Sequence, residues 1–494
     1  MEPVEIAPTP AALLQSLRGL GYSPETALAD LIDNSIAAQA QTIELSIDWN
    51  DGEMRIGVLD DGRGMTSADL ESAMRFGGNG PDVERKPDDL GRFGLGMKTA
   101  SLSQCRCLTV LSRCDGETNS RTWDVDDVLR TRRWTVGVGL LPQKFDHLPA
   151  LDKRPSGTLV VLERMDEIGG LFGLDKGHFF AKLQDIRSHF AMVFHRFLSL
   201  DARRIRIVVN GRDVEGWDPM LRTHPATQRL GAGRVGAGAQ AVHVAPFVLP
   251  HRDRFANDGE YVAAGGPGGW AERQGFYIYR AKRLIVAGNW LGLGSLREWT
   301  KEESSRLARI AVDLPQRVDS AWRIDIRKAT ARPPANLRAR LINIGSACRE
   351  TAREVFAWRG GQVRTGKTAM AVSPVWMEEY LSGKRRYRIN RDNPVIASLL
   401  QSDTGAARLA RSAFSLIERS VPVERIWLDV SESAETPATA ADVDAALVDD
   451  LVTALRASAS DREPEEVLDS LLRTLRLDAP ALRATVLSRF GEPS

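Results

Sequence analysis

The stretch DDLGRFGLGMKTAS (Asp88–Ser101) places three glycines within six positions and then continues into residues that favour a helix. Two interpretations of this pattern are open. In one, the glycines form a tight turn and nothing more. In the other, they let backbone N–H groups approach a negatively charged ligand where the positive end of a new helix dipole adds to the attraction. The motifs elsewhere in the chain have to decide between them.

Length and composition set the first limits. The 494 residues predict two or three domains, and 66 Lys plus Arg against 65 Asp plus Glu leave a net charge of +1. That balance argues against a strongly basic protein that coats nucleic acid. The acidic, proline-containing N-terminus differs from a signal peptide, and no apolar run approaches the roughly 20 residues of a membrane helix. We therefore expect a cytoplasmic location and no membrane partner.

The cysteines favour a structural role over a metal site. Cys105, Cys107 and Cys114 lie close together, but no fourth ligand is near them, and Cys348 is far along the chain. We therefore expect small apolar residues on a strand rather than a zinc site, in a reducing compartment.

The first block of the chain alternates helices with hairpins. A helix is predicted over about 24–40, where Ser23 and Pro24 form a good cap and first turn and apolar residues recur at helical spacing. TIELSIDW and MRIGVLDDG read as two strands joined by the turn NDG, and CLTVLSRC and GTLVVLERM continue the sheet. The fold class predicted for residues 1–175 is α+β, a layered sandwich of helices on mostly antiparallel strands.

The rest of the chain predicts two further regions. A helix over about 178–200 precedes the hairpin RIRIVVNGRDVEGWDP, whose Asn210-Gly211 pair is typical of a type I′ turn. Strands follow over 275–290 and 305–315, and a helix starts near Ala335. After residue 360 the composition changes, and 434–494 is rich in Ala, Leu and acidic residues. The predicted domains are 1–177, 178–340 and a mainly helical 341–494.

Four motifs carry the chemistry. Asp30 and Asn34 are four residues apart, so they share one face of the first helix. Asp60 ends a strand in LDDGRGM, the glycine-rich stretch leads into the helix of Lys98, and Thr158 starts a later strand, where its hydroxyl is expected near Asp60. Each motif alone also fits a surface stripe or a turn, but their combination in this order is specific.

In that order the motifs resemble the GHKL superfamily of ATPases, which includes gyrase-type, heat-shock-chaperone, MutL and microrchidia (MORC) proteins. The likeness covers residues 20–165 and extends more loosely through 340, where GFYIYRAKRLI and WRIDIRKATARPP look like the transducer domain of microrchidia-type members. It implies an N-terminal Bergerat-type α/β sandwich that binds ATP, a transducer-like α+β second domain and a mainly helical C-terminal region. Sensor kinases fit poorly, since their ATP domain normally ends the chain.

The resemblance also implies a role for each matching residue. Asn34 would hold Mg²⁺, Asp60 would accept the adenine amino hydrogen, and Thr158 would support the water network beside the base. Lys328 matches the transducer lysine that reaches the γ-phosphate, although an ordinary surface lysine is the alternative. The residues implied to bind ATP are Asn34, Asp60, Gly62, Gly64, Met65, Gly91, Arg92, Phe93, Gly94, Leu95, Gly96, Met97, Lys98 and Thr158.

The general base departs from the family pattern. Relatives usually carry Glu four residues before the magnesium Asn, and here that position is Asp30. A carboxylate remains, but it is one methylene shorter, and a base must come within roughly 2.6–3.2 Å of the water that it activates. We therefore expect slow hydrolysis, with nucleotide acting as a switch more than as fuel. A second departure is Ala37, where many relatives carry Asp.

The resemblance implies a dimer that ATP closes and hydrolysis opens, with lid hinges at Gly77, Gly78 and Gly80. Our first hypothesis is a microrchidia-like clamp that acts on DNA, beside nuclease or methyltransferase partners in a restriction or antiphage setting. KRRYRIN and RIRIVVNGR supply positive charge for it, or are solvated strand faces. The alternatives are a chaperone-like ATPase and a non-hydrolysing, ATP-gated scaffold. Tyr22 is expected near the nucleotide, at the dimer partner or in ordinary packing.

Overall fold

The protein is described by a computed structural model, in which the chain divides into two compact units, Met1–Phe356 and Ala357–Ser494. The structure describes residues 9–19, 21–50, 53–76, 96–166, 175–199, 205–238, 241–295, 297–315, 318, 321–324, 331–357, 375–381, 384–401, 405–421, 445–458, 463–475 and 480–491.

The elements of the first unit are α1 (Pro10–Arg18), α2 (Pro24–Ala37), β1 (Thr42–Asn50), β2 (Glu53–Asp60), α3 (Ser67–Met74), α4 (Gly96–Leu102), β3 (Cys105–Cys114), β4 (Glu117–Asp124), α5 (Val125–Thr131), β5 (Gly137–Val138), β6 (Gly157–Met165), α6 (Lys176–Val193), α7 (His195–Leu198), β7 (Arg206–Val209), β8 (Arg212–Asp213), β9 (Gln228–Arg229), β10 (Gly233–Val235), β11 (Val242–Val248), α8 (Asp258–Gly265), α9 (Gly269–Glu272), β12 (Gly275–Arg280), β13 (Arg283–Asn289), β14 (Ala308–Leu314) and α10 (Ala335–Ala357).

The first sheet has eight strands in the order β5-β4-β3-β6-β2-β1-β7-β8. All its pairs are antiparallel except β1–β7. Helix α2 buries Leu28 and Ile32 against sheet residues such as Ile56 and Val110, and Phe190 of α6 belongs to the same core. Because helices cover one apolar face of a mostly antiparallel sheet, the predicted α+β sandwich is confirmed.

The hairpin of β7 and β8 belongs to this first sheet, beyond the expected domain boundary at 177/178. Strand β7 pairs in parallel with β1, and Ile43 lies opposite Ile207. The predicted type I′ turn is present, since Asn210 and Gly211 have φ of 47° and 73°. The Asn210 side chain also bonds to both the N–H and the C=O of Ile47, at 2.8 and 2.9 Å. These contacts fix the hairpin to β1.

The second sheet has the order β10-β11-β14-β12-β13, with β9 beside β11. The stretch predicted as strand over 275–290 forms two strands, β12 and β13, joined by the turn Ala281-Lys282. Helix α10 starts at Ala335 as expected and packs Leu341 and Cys348 into the core of this sheet. The expected boundary at 340/341 therefore falls inside one continuous helix.

The second unit contains a hairpin as well as helices. Its elements are β15 (Trp376–Leu381), β16 (Lys384–Ile389), α11 (Pro394–Gln401), α12 (Gly405–Ser420), α13 (Ala445–Ser458), α14 (Pro464–Leu475) and α15 (Pro480–Phe490). Leu451, Leu455, Leu468 and Val486 form the core of the last three helices. The basic stretch KRRYRI is strand β16. No helix in the described part of the chain is both long and apolar enough to cross a membrane.

A close backbone approach places the loop after β2. Gly64 has φ of +70°, and a Cβ there would lie 1.9 Å from the carbonyl oxygen of Arg113. We predict that Gly64→Ala lowers the free energy of unfolding by about 3 kcal/mol or more, because a clash with backbone adds to the cost of a left-handed conformation. Urea denaturation followed by circular dichroism measures the loss. Gly116→Ala is the control, since Gly116 has φ of +84° and nothing within 4 Å; equal losses in both variants would contradict the close approach.

The turn between β12 and β13 is strained. Ala281 and Lys282 both have positive φ, 46° and 69°, in a two-residue turn that favours Asn-Gly. We predict that changing this pair to Asn-Gly raises the free energy of unfolding by about 1–2 kcal/mol, seen as a higher melting temperature. Gly211→Ala, made in the turn that already has Asn-Gly, should lower it by a similar amount. A double variant no more stable than the parent protein would refute the left-handed turn.

Candidate functional site

Three segments that are distant in sequence meet at the end of β2. Asp60 is the last residue of this strand and lies opposite Thr158, near the start of β6. Ser35 of α2 reaches the same point from the helix layer. The sequence predicted Asp60 and Thr158 as neighbours, and the strand register brings them together.

The Asp60 carboxylate is buried and held by donors from all three segments. Its Oδ2 accepts a hydrogen bond from the Ser35 hydroxyl at 2.8 Å. Its Oδ1 accepts from the backbone N–H groups of Gly62 and Thr158, at 2.9 and 3.2 Å. Burial raises the pKa of this carboxyl above its ordinary value, although the hydrogen bonds oppose the shift. Since an ionised carboxylate has about four acceptor positions, Asp60 can still accept from a ligand.

The Thr158 residue contacts Asp60 through its backbone. Its backbone N–H, not its hydroxyl, reaches Asp60, and the hydroxyl shares a 2.9 Å hydrogen bond with the Ser112 hydroxyl. The Ser112 oxygen in turn accepts from the N–H of Met65 at 2.8 Å. Ser112 therefore ties the loop after β2 to strand β6. A Cβ at Gly157 would lie 2.2 Å from the Asp60 carbonyl oxygen, so β6 approaches β2 very closely here.

The loop after β2 packs on the end of helix α2. A Cβ at Gly62 would lie 2.8 Å from the Cβ of Ala38, and the N–H of Arg63 donates to the Ala38 carbonyl at 3.1 Å. The Ser156 hydroxyl holds the Gly62 carbonyl at 2.8 Å. Gly62 and Gly64 thus permit a bare, fixed backbone beside Asp60.

Helix α2 presents two polar groups in different environments. Asp30 is 3% exposed, whereas Asn34, one turn later, is exposed to solvent. The hydroxyl of Tyr22, itself buried, lies 3.2 Å from Asp30 Oδ2 as a donor. Tyr22 packs against Ala27 and Ala100, so ordinary packing and a contact to the predicted site are both present.

The start of α4 lies next to Asp30. Gly96 is the first residue of this helix, and a Cβ there would be 3.9 Å from Asp30 Oδ2. The end of the glycine-rich stretch is therefore adjacent to the predicted general base. Met97, the next residue, is partly buried against the main core, as is Met65.

Lys98 is buried in the first turn of α4. Its ammonium donates to the carbonyl of Ala73, in the last turn of α3, at 2.7 Å and lies 5.8 Å from the centre of the Phe76 ring. Burial lowers the pKa of this ammonium to about 8. Lys98 thus links the two helices that flank residues 77–95.

Several predicted positions lie outside the described residues. These are the phosphate-binding Gly91, Arg92, Phe93, Gly94 and Leu95, the hinges Gly77, Gly78 and Gly80, and Lys328 of the transducer.

Two polar residues of the site were missed by the sequence reasoning. Ser35 and Ser112 hold Asp60 and Thr158 in place, yet neither stands in one of the four motifs as read. Ser35 follows Asn34 directly, which was the available signal. Ser112 gave none, because only the pairing of β3 with β6 places it opposite Thr158.

The side-chain oxygens of Asn34 and Asp30 are of the kind that suits a nucleotide bound with magnesium. Asn34 offers one exposed amide oxygen beside the buried Asp30 carboxylate, and Mg²⁺ usually takes one or two protein oxygens and completes its shell with water and phosphate. Among the described residues, no group of three or more His, Cys, Asp or Glu side chains is arranged to hold a metal ion.

Residues 22–158 match the family model of histidine kinase-, DNA gyrase B- and HSP90-like ATPases. No curated protein matches the chain. The matched segment runs from Tyr22 to Thr158 and contains α2, the end of β2, the start of α4 and the start of β6. Those are the elements that assemble around Asp30 and Asp60. Within residues 22–158 the chain therefore carries an ATPase domain of the GHKL type.

Proposed function

We propose that this protein binds ATP with Mg²⁺ and hydrolyses it slowly, so that the nucleotide acts as a switch. One observation carries the proposal. A buried carboxylate, Asp60, is fixed by three donors and retains acceptor capacity, in a domain that matches the GHKL ATPases. Such a carboxylate suits an amino group that arrives with a flat, partly apolar ring.

Adenine specificity follows from the acceptor character of Asp60. The exocyclic amino group of adenine donates to Asp60, whereas guanine has a carbonyl oxygen at that position. Two acceptors would then face each other in a buried place, which disfavours guanine strongly. The N–H donors of Gly62 and Thr158 prevent the carboxylate from turning away.

On the phosphate side, Asn34 would hold Mg²⁺, and Lys98 would contribute positive charge from the first turn of α4. When bound, Mg²⁺ neutralises the charge that develops on the phosphate oxygens. Asp30 lies beside Gly96 and takes the proton from the attacking water. Its short side chain and its hydrogen bond to Tyr22 limit its reach, which makes hydrolysis slow.

The wider activity that we propose is that of a microrchidia-like dimeric clamp on DNA, working with nuclease or methyltransferase partners in restriction or antiphage defence. Two features support it. A second sheet follows the first along the chain, at the position where the family resemblance implies a transducer-like domain. Strand β16 carries the run KRRYR, and its Tyr387 and Arg388 are exposed, which suits contacts to phosphates and bases.

The two ends of the site should separate binding from hydrolysis. We predict that Asp60→Asn weakens Mg²⁺-dependent ATP binding by about 100-fold, since an amide turned to donate meets the adenine amino group as a second donor. Asn34→Ala should weaken it by at least about tenfold. Asp30→Asn should bind ATP within about threefold of the parent protein but release phosphate at least about 100 times more slowly.

Fluorescent-nucleotide titration and a phosphate-release assay give these values, and Glu71→Gln, on the exposed face of α3, is the control. Unchanged ATP affinity in Asp60→Asn would overturn the proposal. Equal phosphate release by Asp30→Asn and the parent protein would instead favour an ATP-gated scaffold.

ATP binding should also depend on the charge of Lys98. Burial lowers the pKa of its ammonium to about 8, so the positive form is complete below that pH and lost above it. We predict that ATP affinity falls by about tenfold between pH 7 and pH 9.5, equivalent to one charge-assisted contact. Lys98→Arg stays charged over this range and should give a flat profile. The same fall in both proteins would exclude Lys98 as its source.

A further inference from the structure

A buried ion pair connects the nucleotide helix to the second sheet. Asp33 of α2 and Arg283, the first residue of β13, are 2% and 3% exposed. The guanidinium Nε lies 2.9 Å from Asp33 Oδ2 and 3.1 Å from Oδ1. The two residues are 250 positions apart in the chain, so the pair is a purely tertiary connection.

On α2, Asp33 stands between the two groups of the candidate site. Asp30 lies three residues before it and Asn34 directly after it. All three belong to one uninterrupted helix, in which neighbouring residues move as a rigid group. A displacement of the Asp33 backbone therefore displaces the predicted general base and the predicted magnesium ligand together.

On the other side, Arg283 is held at the tip of a hairpin. The two-residue turn Ala281-Lys282 precedes it, and its own Nη1 donates to the Leu284 carbonyl at 2.7 Å. Strand β12, the partner of β13, also pairs in parallel with β14 in the middle of the sheet. The Arg283 side chain is thus held against the second sheet and is not free to move.

Within the described part of the chain, Asp33 is the carboxylate that pairs with Arg283. His189 of α6 is a titratable group close to the pair, and burial lowers its pKa to about 4, with further contributions from Arg283, Glu25, Arg273 and Asp33. The imidazole is therefore neutral at pH 7. The Nη2 of Arg283 is buried and has no hydrogen-bond partner among the residues that the structure describes. A buried guanidinium in this position loses far more than one hydrogen bond if its carboxylate partner withdraws.

We propose that the Asp33–Arg283 pair couples the nucleotide site to the second sheet, with Arg283 acting as a positioning residue for Asp30 and Asn34. The inference rests on the proposed ATP binding and specifies how that event reaches the rest of the first unit. Nucleotide bound at Asn34 biases the position of α2, and the ion pair transmits the bias to the β12–β13 hairpin. Because such coupling is reciprocal, the position of the hairpin also tunes the nucleotide site.

A second ion pair on the same helix provides a matched control. Glu25, in the first turn of α2, contacts Lys182 of α6 at 2.6 Å. Lys182→Met removes a half-buried ionic partner from α2 but leaves the connection to the second sheet intact. General loosening of α2 should affect both variants alike, whereas loss of coupling should affect only the Arg283 variants.

The test uses hydrogen exchange of the full chain with and without a non-hydrolysable ATP analogue and Mg²⁺. In the parent protein and in Lys182→Met, the analogue should slow exchange in residues 275–289 at least about threefold. In Asp33→Asn and Arg283→Lys it should still slow exchange in α2 but leave 275–289 unchanged. Phosphate release should fall about tenfold in Arg283→Lys with less than a threefold change in ATP affinity. The double variant that combines Asp33→Asn with Arg283→Lys should lose no more of the exchange response in 275–289, and no more phosphate release, than either single variant.

The parent protein alone can refute the inference, even where a variant fails to fold. If it binds the analogue and exchange in 275–289 does not respond, the ion pair does not couple the two parts. An equal response in the parent protein and in folded Arg283→Lys would refute it as well. Failure of the parent protein to bind the analogue at all would instead refute the proposed ATP binding.

Discussion

The burial of the Asp60 carboxylate is the constraint on which the candidate site depends. A carboxylate removed from water is costly unless donors replace its hydration. Here the donors come from a helix, a loop and a neighbouring strand. If one of these segments shifted, the buried charge would lose a hydrogen-bond donor. Asp60 therefore fixes the relative positions of α2, the loop after β2 and β6. The surface around Asp60 is therefore fixed by the fold itself, which would limit the ordering that binding of a ligand requires.

Helix α2 makes different contacts on different faces, and its sequence places a different type of residue on each. Leu28 and Ile32 lie in the core against the sheet, Asp30 lies beside Gly96 while Asn34 is exposed, and Asp33 turns toward the second sheet. A helix with polar residues on so many sides would be poorly stabilised alone. Its buried carboxylates are tolerated because each has a partner in another element, so the fold of the first unit and the chemistry of the site depend on the same contacts.

The sequence was most informative where local chemistry determines the outcome. Ser23-Pro24 at the start of α2, the Asn210-Gly211 turn and the strand ending at Asp60 were all predicted and are present. It failed where long-range pairing decides. Nothing near Ile207 indicates that β7 joins β1 rather than the second sheet, and nothing near Asp33 or Arg283 marks them as partners. The sequence placed the hydroxyl of Thr158 near Asp60 but did not show that the backbone N–H makes the contact, because a residue type does not reveal which of its groups faces a neighbour.

The parallel pairing of β7 with β1 has a practical consequence for dissecting this protein. A fragment that stops at residue 177 would keep the whole family-matched segment yet strip β1 of its neighbour. The uncovered edge would present unpaired N–H and C=O groups beside apolar Ile43 and Leu45, a template for aggregation. The smallest fragment expected to stay in solution would thus have to reach past Asp213, so the matched segment is shorter than the folding unit that contains it.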